Sequence, residues 1–179
     1  RVYKIARIAS TRLTYMKITG GTLTARDEIS YFSTDGKQYA EKVGQIRLYS
    51  GDKFEQVDVA SAGEVCAVSG LSATYVGQGL GMEIDTCKPV LEPVLSFRIG
   101  LPPECDPVLY FPKFKELEEE DPSLHLYWNE ELRQIEARLM GDIQIDLIKR
   151  MIAERFGVSC ELDAGRILYK EKIAEKTIG

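Results

Sequence analysis

The chain has 179 residues, 44% of them apolar, 9% aromatic and 28% charged. That mixture can build a core and excludes a wholly disordered chain, and the length allows one domain or two small ones. No apolar run approaches the ~20 residues that cross a bilayer, and no basic-then-apolar leader opens the sequence. The chain begins with Arg1 and runs directly into a strand-like stretch, so we expect part of a longer protein. The net charge of −5 is unevenly spread. Residues 1–88 hold 11 Lys+Arg against 10 Asp+Glu, a net of +1, and residues 89–179 hold 12 against 18, a net of −6. A dominant basic footprint for nucleic acid is therefore absent, which leaves only local patches for backbone contacts.

The first half reads as β structure. Val2, Tyr3, Ile5 and Ile8 mark one strand, and Leu13–Ile18 a second, followed by a turn at Gly20-Gly21. Glu28–Phe32 closes at Ser33-Thr34-Asp35-Gly36, and Val43–Tyr49 closes at Ser50-Gly51-Asp52. Phe54–Val59 and Glu64–Val68 follow. Short strands at this spacing, with no helical period between them, predict a closed antiparallel barrel, which also removes exposed sheet edges.

Gly77, Gly79 and Gly81, then Pro89 and Pro93, read as a linker. The glycines do not make G-x-G-x-x-G and lack a strand-turn-helix setting, so they are turn residues rather than a phosphate loop.

The second half mixes periods. Leu95, Phe97, Ile99 and Leu101 alternate with polar or small residues, a strand with one buried face, stopped by Pro102-Pro103. Tyr110, Phe114 and Leu117 form a helical stripe in which Pro112 marks a start or a kink. Asp121-Pro122 ends that helix. Leu124, Leu126 and Trp128 give a second strand, and Ile135, Ala137 and Leu139 a third, hairpinned through Asn129-Glu130-Glu131. Asp142 is the expected N-cap of a helix whose stripe is Leu147, Ile148, Met151, Ile152 and Phe156, with Gly157 at C′. Val158, Cys160 and Leu162 form a fourth strand. The order β-α-β-β-α-β is the split, ferredoxin-like unit. The run Ile167–Ile173 reads as a further strand without a partner. The expected domains are a barrel over 1–88, a ferredoxin-like unit over 89–166, and the opening of another domain over 167–179.

Chemistry-bearing residues are sparse. Cys66, Cys87, Cys105 and Cys160 form no Cys-x-x-Cys pair, and His125 is the only histidine, so no zinc site is expected and the thiols read as reduced and cytosolic. His125 falls on the exposed side of its strand. The cluster Glu116, Glu118, Glu119, Glu120 and Asp121 reads as a solvated helix end. Glu130 and Glu131 sit in a hairpin turn without a sign of a cleft, which is poor ground for acid–base catalysis. No G-x-x-x-x-G-K-[ST] loop is present: Gly36-Lys37 is followed by Gln38 and lacks the earlier glycine. No Asp stands three residues before a glycine, and Asn129, the only asparagine, is followed by Glu130. Guanine-nucleotide motifs are thus missing from this chain.

Several segments resemble one family. Leu13-Thr14-Tyr15-Met16-Lys17-Ile18, Gly21-Thr22-Leu23 and Asp27-Glu28-Ile29 are similar to the opening hairpin of the second domain of translational GTPases. Ala62-Gly63-Glu64-Val65 with Gly70-Leu71 is similar to its close. Glu120-Asp121-Pro122-Ser123-Leu124, Gly141-Asp142-Ile143-Gln144-Ile145-Asp146, Arg155-Phe156-Gly157-Val158 and Tyr169-Lys170-Glu171 follow in the order and spacing of the third domain of elongation factor G and its relatives. Elongation factor G usually carries His where this chain has Gln144; the tetracycline-resistance ribosomal protection proteins usually carry Gln, and Ser123-Leu124-His125 also resembles that branch. Pro112 and the short Gly77–Gly81 linker depart from the usual elongation factor pattern.

The resemblance implies a translation-factor-type antiparallel β-barrel followed by a ferredoxin-like β-α-β-β-α-β sandwich. It implies a cytoplasmic, ribosome-dependent GTPase parent, with GTP and magnesium held in an N-terminal domain that is not in this sequence. This part itself then has no catalytic, cofactor or metal residues. The expected partners are small-subunit rRNA and protein, and the parent's GTPase and fourth domains in cis, with no membrane. The expected outcome is protection of the ribosome from tetracycline. The alternatives are translocation by elongation factor G and a free-standing ribosome- or RNA-binding module. Lys42, Arg47 and Lys53, on or near barrel loops, are the candidate ribosome contacts, since phosphates are held by Lys and Arg without a base code.

Overall fold

The computed structural model describes residues 1–8, 10–85, 95–163 and 166–167. Cys87, the Pro89–Pro93 stretch and Tyr169-Lys170-Glu171 lie outside them. The chain divides into two units: Arg1–Val90 with Glu119–Pro122, and Leu91–Glu118 with Ser123–Gly179.

In the first unit, β1 (Val2–Ile8), β2 (Thr11–Lys17), β6 (Ile46–Ser50), β7 (Lys53–Val57) and β9 (Val65–Val68) form an antiparallel sheet in the order β1-β2-β9-β6-β7. Two smaller sheets pair β3 (Thr22–Thr24) with β8 (Val59–Ser61) and β4 (Glu28–Phe32) with β5 (Gln38–Lys42). All three sheets surround one core: Met16 and Ile18, Tyr31 and Val43, Ile46, Ala60, Cys66, Val68 and Leu71. The barrel expectation holds. The expected strands over 43–49 and 54–59 are shorter, because Val43 leaves the ladder and Asp58 separates β7 from β8. Three strands were not legible. β5, Gln-Tyr-Ala-Glu-Lys, has an apolar alternation only two residues long, and β3 and β8 have three residues each.

Gly70 marks a close backbone crossing in this unit. Its φ is +95°, and a Cβ there would stand 2.3 Å from the Lys42 carbonyl oxygen and 2.9 Å from the Gly44 nitrogen. Arg12 ties the following segment to β2: Nη1 donates to the Leu71 carbonyl at 2.7 Å and to Thr74 Oγ1 at 2.9 Å.

The second unit contains β10 (Leu95–Gly100), α1 (Pro107–Glu120) up to Glu118, β11 (His125–Asn129), β12 (Gln134–Leu139), α2 (Asp142–Phe156) and β13 (Glu161–Leu162). The antiparallel order β11-β12-β10-β13 is the 2-3-1-4 arrangement of a ferredoxin-like sheet. One sheet face packs on the helices through Phe97, Ile99, Leu126, Ile135, Ala137 and Leu139 against Phe114, Leu117, Ile148 and Ile152. A short β14 (Arg166–Ile167) pairs with β10, so the start of the last expected strand has a partner after all: Leu95 faces Ile167 and Ser96 faces Arg166.

Both helices begin differently from the sequence reading. α1 runs through Pro112 and starts one and a half turns earlier, at Pro107. Asp106-Pro107 supplies the start. The Val108 N–H donates to Asp106 Oδ1 at 2.9 Å, and proline suits the first helical position, where no intrahelical N–H is needed. α2 is capped by Gly141, whose side of the junction makes no side-chain cap bond; Asp142 is already helical. Its C-terminus follows expectation: Gly157 is left-handed at φ 66° and donates to the Ala153 carbonyl at 3.0 Å. In the stripe of α2, Ile148 and Ile152 are buried and Met151 and Phe156 pack against the core, whereas Leu147 is half-buried and belongs to neither group.

Candidate functional site

The structure places two of the three expected cations on one hairpin. Arg47 lies in the middle of β6, not in a loop, and Lys53 opens β7 immediately after the Gly51-Asp52 turn. Lys42 ends β5 in a different sheet, where it pairs with Glu28. Arg47 donates to Gln45 Oε1 at 2.9 Å, and its guanidinium carbon stands 4.6 Å from the centre of the Phe54 ring. Its Nε is buried without a hydrogen-bond partner.

The surroundings of Arg47 were not anticipated. In the five-stranded sheet Met16, Ile46, Cys66 and Val68 point into the barrel, so their neighbours point out. Cross-strand register places Lys4, Tyr15, Ala67, Arg47 and Gln56 side by side on the outer face. Tyr49 faces Phe54 beside them. The rings run across the sheet in contact. Tyr3–Tyr15 centroids are 6.3 Å apart, Tyr15–Tyr49 5.6 Å and Tyr49–Phe54 5.6 Å. Tyr3 is the extra residue of a bulge between Val2 and Lys4, which aims its ring at Tyr15. Ala67, fully buried, lies between Tyr15 and Arg47 in register. The ends of the row are open, with Tyr3 46% and Phe54 50% exposed. Lys4 Nζ lies 5.5 Å from the Tyr15 ring centre. Burial, with a hydrogen bond to Tyr49, pushes the Tyr15 phenol up to about 12, so it stays a neutral donor at physiological pH. The sequence signal was the alternation Tyr15-x-Lys17, Arg47-x-Tyr49 and Phe54-x-Gln56, each interleaved with the opposite face.

The second unit carries two polar junctions. On the sheet face away from the helices, Glu136 accepts from Asn129 Nδ2 at 2.7 Å, Gln134 Nε2 at 2.9 Å, Ser96 Oγ at 3.0 Å and the Tyr127 hydroxyl. Burial raises the Glu136 carboxyl, but these donors, Tyr127 foremost, overcome it and hold the pKa at about 2. At the start of α2, Gln144 Oε1 accepts from the Met140 N–H at 2.7 Å and Gln144 Nε2 donates to Ser123 Oγ at 2.9 Å. Two motifs that carried the family resemblance, around Ser123 and around Gln144, thus meet in space.

Glu130, expected to have no cleft beside it, lines an open groove with Val108, Phe111, Pro112, Trp128 and Arg133. The acidic run at the end of α1 is half-buried rather than solvated, and Lys115 Nζ stands 2.6 Å from Glu118 Oε2 within it. His125 is exposed, and Cys66 and Cys160 are buried free thiols. Among the described residues no three His, Cys, Asp or Glu side chains gather as metal ligands, and no helix is long and apolar enough to cross a membrane.

Comparison with known proteins bears on what these surfaces serve. Residues 8–82 match the family "Elongation factor G domain 2". Elongation factor G of Ureaplasma parvum serovar 3 is 29% identical over 171 residues, covering 92% of this chain and 24% of the relative. Tetracycline resistance protein TetP of Clostridium perfringens is 30% identical over 175 residues, covering 95% of this chain and 26% of the relative. Elongation factor G 2 of Syntrophus aciditrophicus is 26% identical over 181 residues. The chain therefore spans about a quarter of the length of the curated relatives it matches. A crystal structure of a Thermus thermophilus protein shares the fold at a TM-score of 0.69 and 22% identity, over 91% of this chain and 25% of that one.

Proposed function

From a chain that resembles the translational GTPases of the elongation factor G superfamily across nearly its whole length, we propose a ribosome-binding and relay segment of such an enzyme. The observation that carries this reading is the continuity of the match: one alignment runs through both the barrel and the ferredoxin-like unit. In this reading the barrel spans 1–88, the ferredoxin-like unit spans 89–166, and 167–179 opens a further domain. Lys42, Arg47 and Lys53 contact small-subunit rRNA, Arg47 and Lys53 from one hairpin. Each unit has its own packed core, and packed elements move as bodies, so a nucleotide-driven shift elsewhere in the parent can pass through them. GTP and magnesium belong to the parent's other domain.

The finer reading is tetracycline protection. It is supported by Gln144 in place of the usual histidine and by the similarity to TetP. Translocation is the second reading, favoured by the similar identity to elongation factor G over the same span. In vitro translation poisoned with tetracycline separates them. Rescue by the full-length protein with GTP, and none by this chain alone, supports protection. No rescue, with support of translocation in extracts stripped of elongation factor G, moves the protein to the second reading. Calorimetric titration of this chain with GTP and magnesium is expected to give no saturable heat.

A further inference from the structure

We propose that the outer face of the β1-β2-β9-β6-β7 sheet is a stacking platform for unpaired RNA bases, with Tyr49 and Phe54 as the base-contacting rings and Arg47 and Lys4 set for the phosphates between them. The proposal deepens the ribosome-binding reading and rests on it for the identity of the RNA. Its ground is the row of rings itself. Four aromatic side chains from four strands lie in sequence across one sheet face, tilted against one another, the outermost half-exposed, and two carry a cation over the ring.

The chemistry selects the occupant. Register places Lys4, Tyr15, Lys17, Arg47, Tyr49, Phe54 and Gln56 on one face of these strands, and none of them is acidic. An anionic ligand with flat apolar surfaces fits such a face, and single-stranded RNA is both. Bases stack on aromatic rings without needing a sequence code, while Lys and Arg track the backbone. A duplex hides its base faces and meets only the cations. The expected salt dependence is therefore shallow, because few phosphates are neutralised. The cation already stacked on Phe54 is pre-placed, which lowers the ordering cost of binding.

The geometry also explains an oddity of the barrel. A bulge at Tyr3 interrupts an otherwise regular β1–β2 ladder, and it brings a fourth ring into the row.

The test is fluorescence anisotropy of this chain with a labelled single-stranded RNA of about 12 nucleotides and with the matching duplex. The single strand is expected to bind more tightly than the duplex. Phe54→Leu and Tyr49→Leu are each expected to weaken it about tenfold with the salt slope unchanged, since base–ring stacking is worth that much. Arg47→Gln should instead reduce the slope by about one. Thermal melts of the variants exclude unfolding, and Phe32→Leu, an exposed ring on the separate β4-β5 sheet, serves as an aromatic control. Equal binding of duplex and single strand, or wild-type binding by both leucine variants, overturns the proposal. Co-sedimentation with ribosomes separates its failure from that of the parent reading. If Phe54→Leu sediments like wild type, the platform fails and the ribosome reading stands. If wild type does not sediment but binds single strands through Phe54, the ribosome reading fails and the platform stands.

Discussion

Gln144 and Ser123 are joined by a 2.9 Å hydrogen bond, and the same amide takes the Met140 N–H through its oxygen. One side chain thereby links the segment before β11 to the segment before α2. Gly141, the N-cap, has no side chain to satisfy the helix start, so a residue in the first turn reaches back instead. Gln144→Ala leaves the Met140 N–H without its partner, at a cost of about 1–2 kcal/mol. For a small unit this lowers Tm by several degrees. Ser123→Ala removes the Gln144 bond and leaves the Met140 contact intact, so it should cost less. Thermal melts of the two variants test the order; a larger loss for Ser123→Ala would contradict it.

Gly70 and Gly36 both have positive φ, +95° and +80°, yet they should respond differently to a methyl group. Around Gly36 the space is open, so Gly36→Ala bears only the left-handed backbone cost of about 1 kcal/mol. Gly70→Ala adds a collision with the Lys42 carbonyl and the Gly44 nitrogen, both backbone atoms that cannot swing aside. Its loss should exceed that of Gly36→Ala by several kcal/mol, read from chemical denaturation midpoints. Comparable midpoints for the two variants would contradict the tight crossing.

The period of the sequence revealed the barrel and the β-α-β-β-α-β order, because burial on one face imposes a two- or 3.6-residue repeat directly. It did not reveal β5, where Glu41 and Lys42 mask the pattern of an edge hairpin, nor the true start of α1, where Pro112 hid the better signal at Asp106-Pro107. The ring row was less legible still. Its members are far apart in the chain, and only register brings Tyr15, Tyr49 and Phe54 together. Of the candidate contacts, charge and nearness to loops marked Lys42, Arg47 and Lys53, and the turn at Ser50-Gly51-Asp52 already set Arg47 and Lys53 on its two sides; which sheet face each takes follows only from register.

The phase of α2 makes a sharper test of the second core. Ile148 is buried against the sheet, and Leu147, one position round, is half-buried and outside that packing. Ile148→Asp places an unpaired charge in the interface and should prevent the unit from folding. Leu147→Asp can turn its carboxylate toward water and should leave a cooperative transition at a lower Tm. Circular dichroism melts distinguish the two. Two equally unfolded variants would place Leu147 in the core after all.

The Glu136 carboxyl predicts how the second unit meets acid. Its pKa in the folded protein is about 2, against an ordinary 4.5, because Tyr127, Gln134, Asn129 and Ser96 all donate to the ionised form and outweigh the effect of burial. Arg98 faces it from β10, already paired with Asp163 at 2.8 Å, and Arg138 stacks on the Tyr127 ring at 4.8 Å. In the unfolded chain Glu136 takes a proton near its ordinary value; in the folded chain it resists until the pH is much lower. Protons therefore bind the unfolded state first, and acid favours unfolding. The stabilisation is complete above about pH 4.5, falls as the pH drops, and is gone below about pH 2. The site is partly solvated, so water screens part of the effect. Glu136→Gln keeps the shape, abolishes the titration and turns one acceptor into a donor. It should melt lower than wild type near neutral pH and show a flatter decline between pH 4.5 and 2. Parallel acid limbs for the two proteins would show that the pH dependence of this unit comes from other carboxylates.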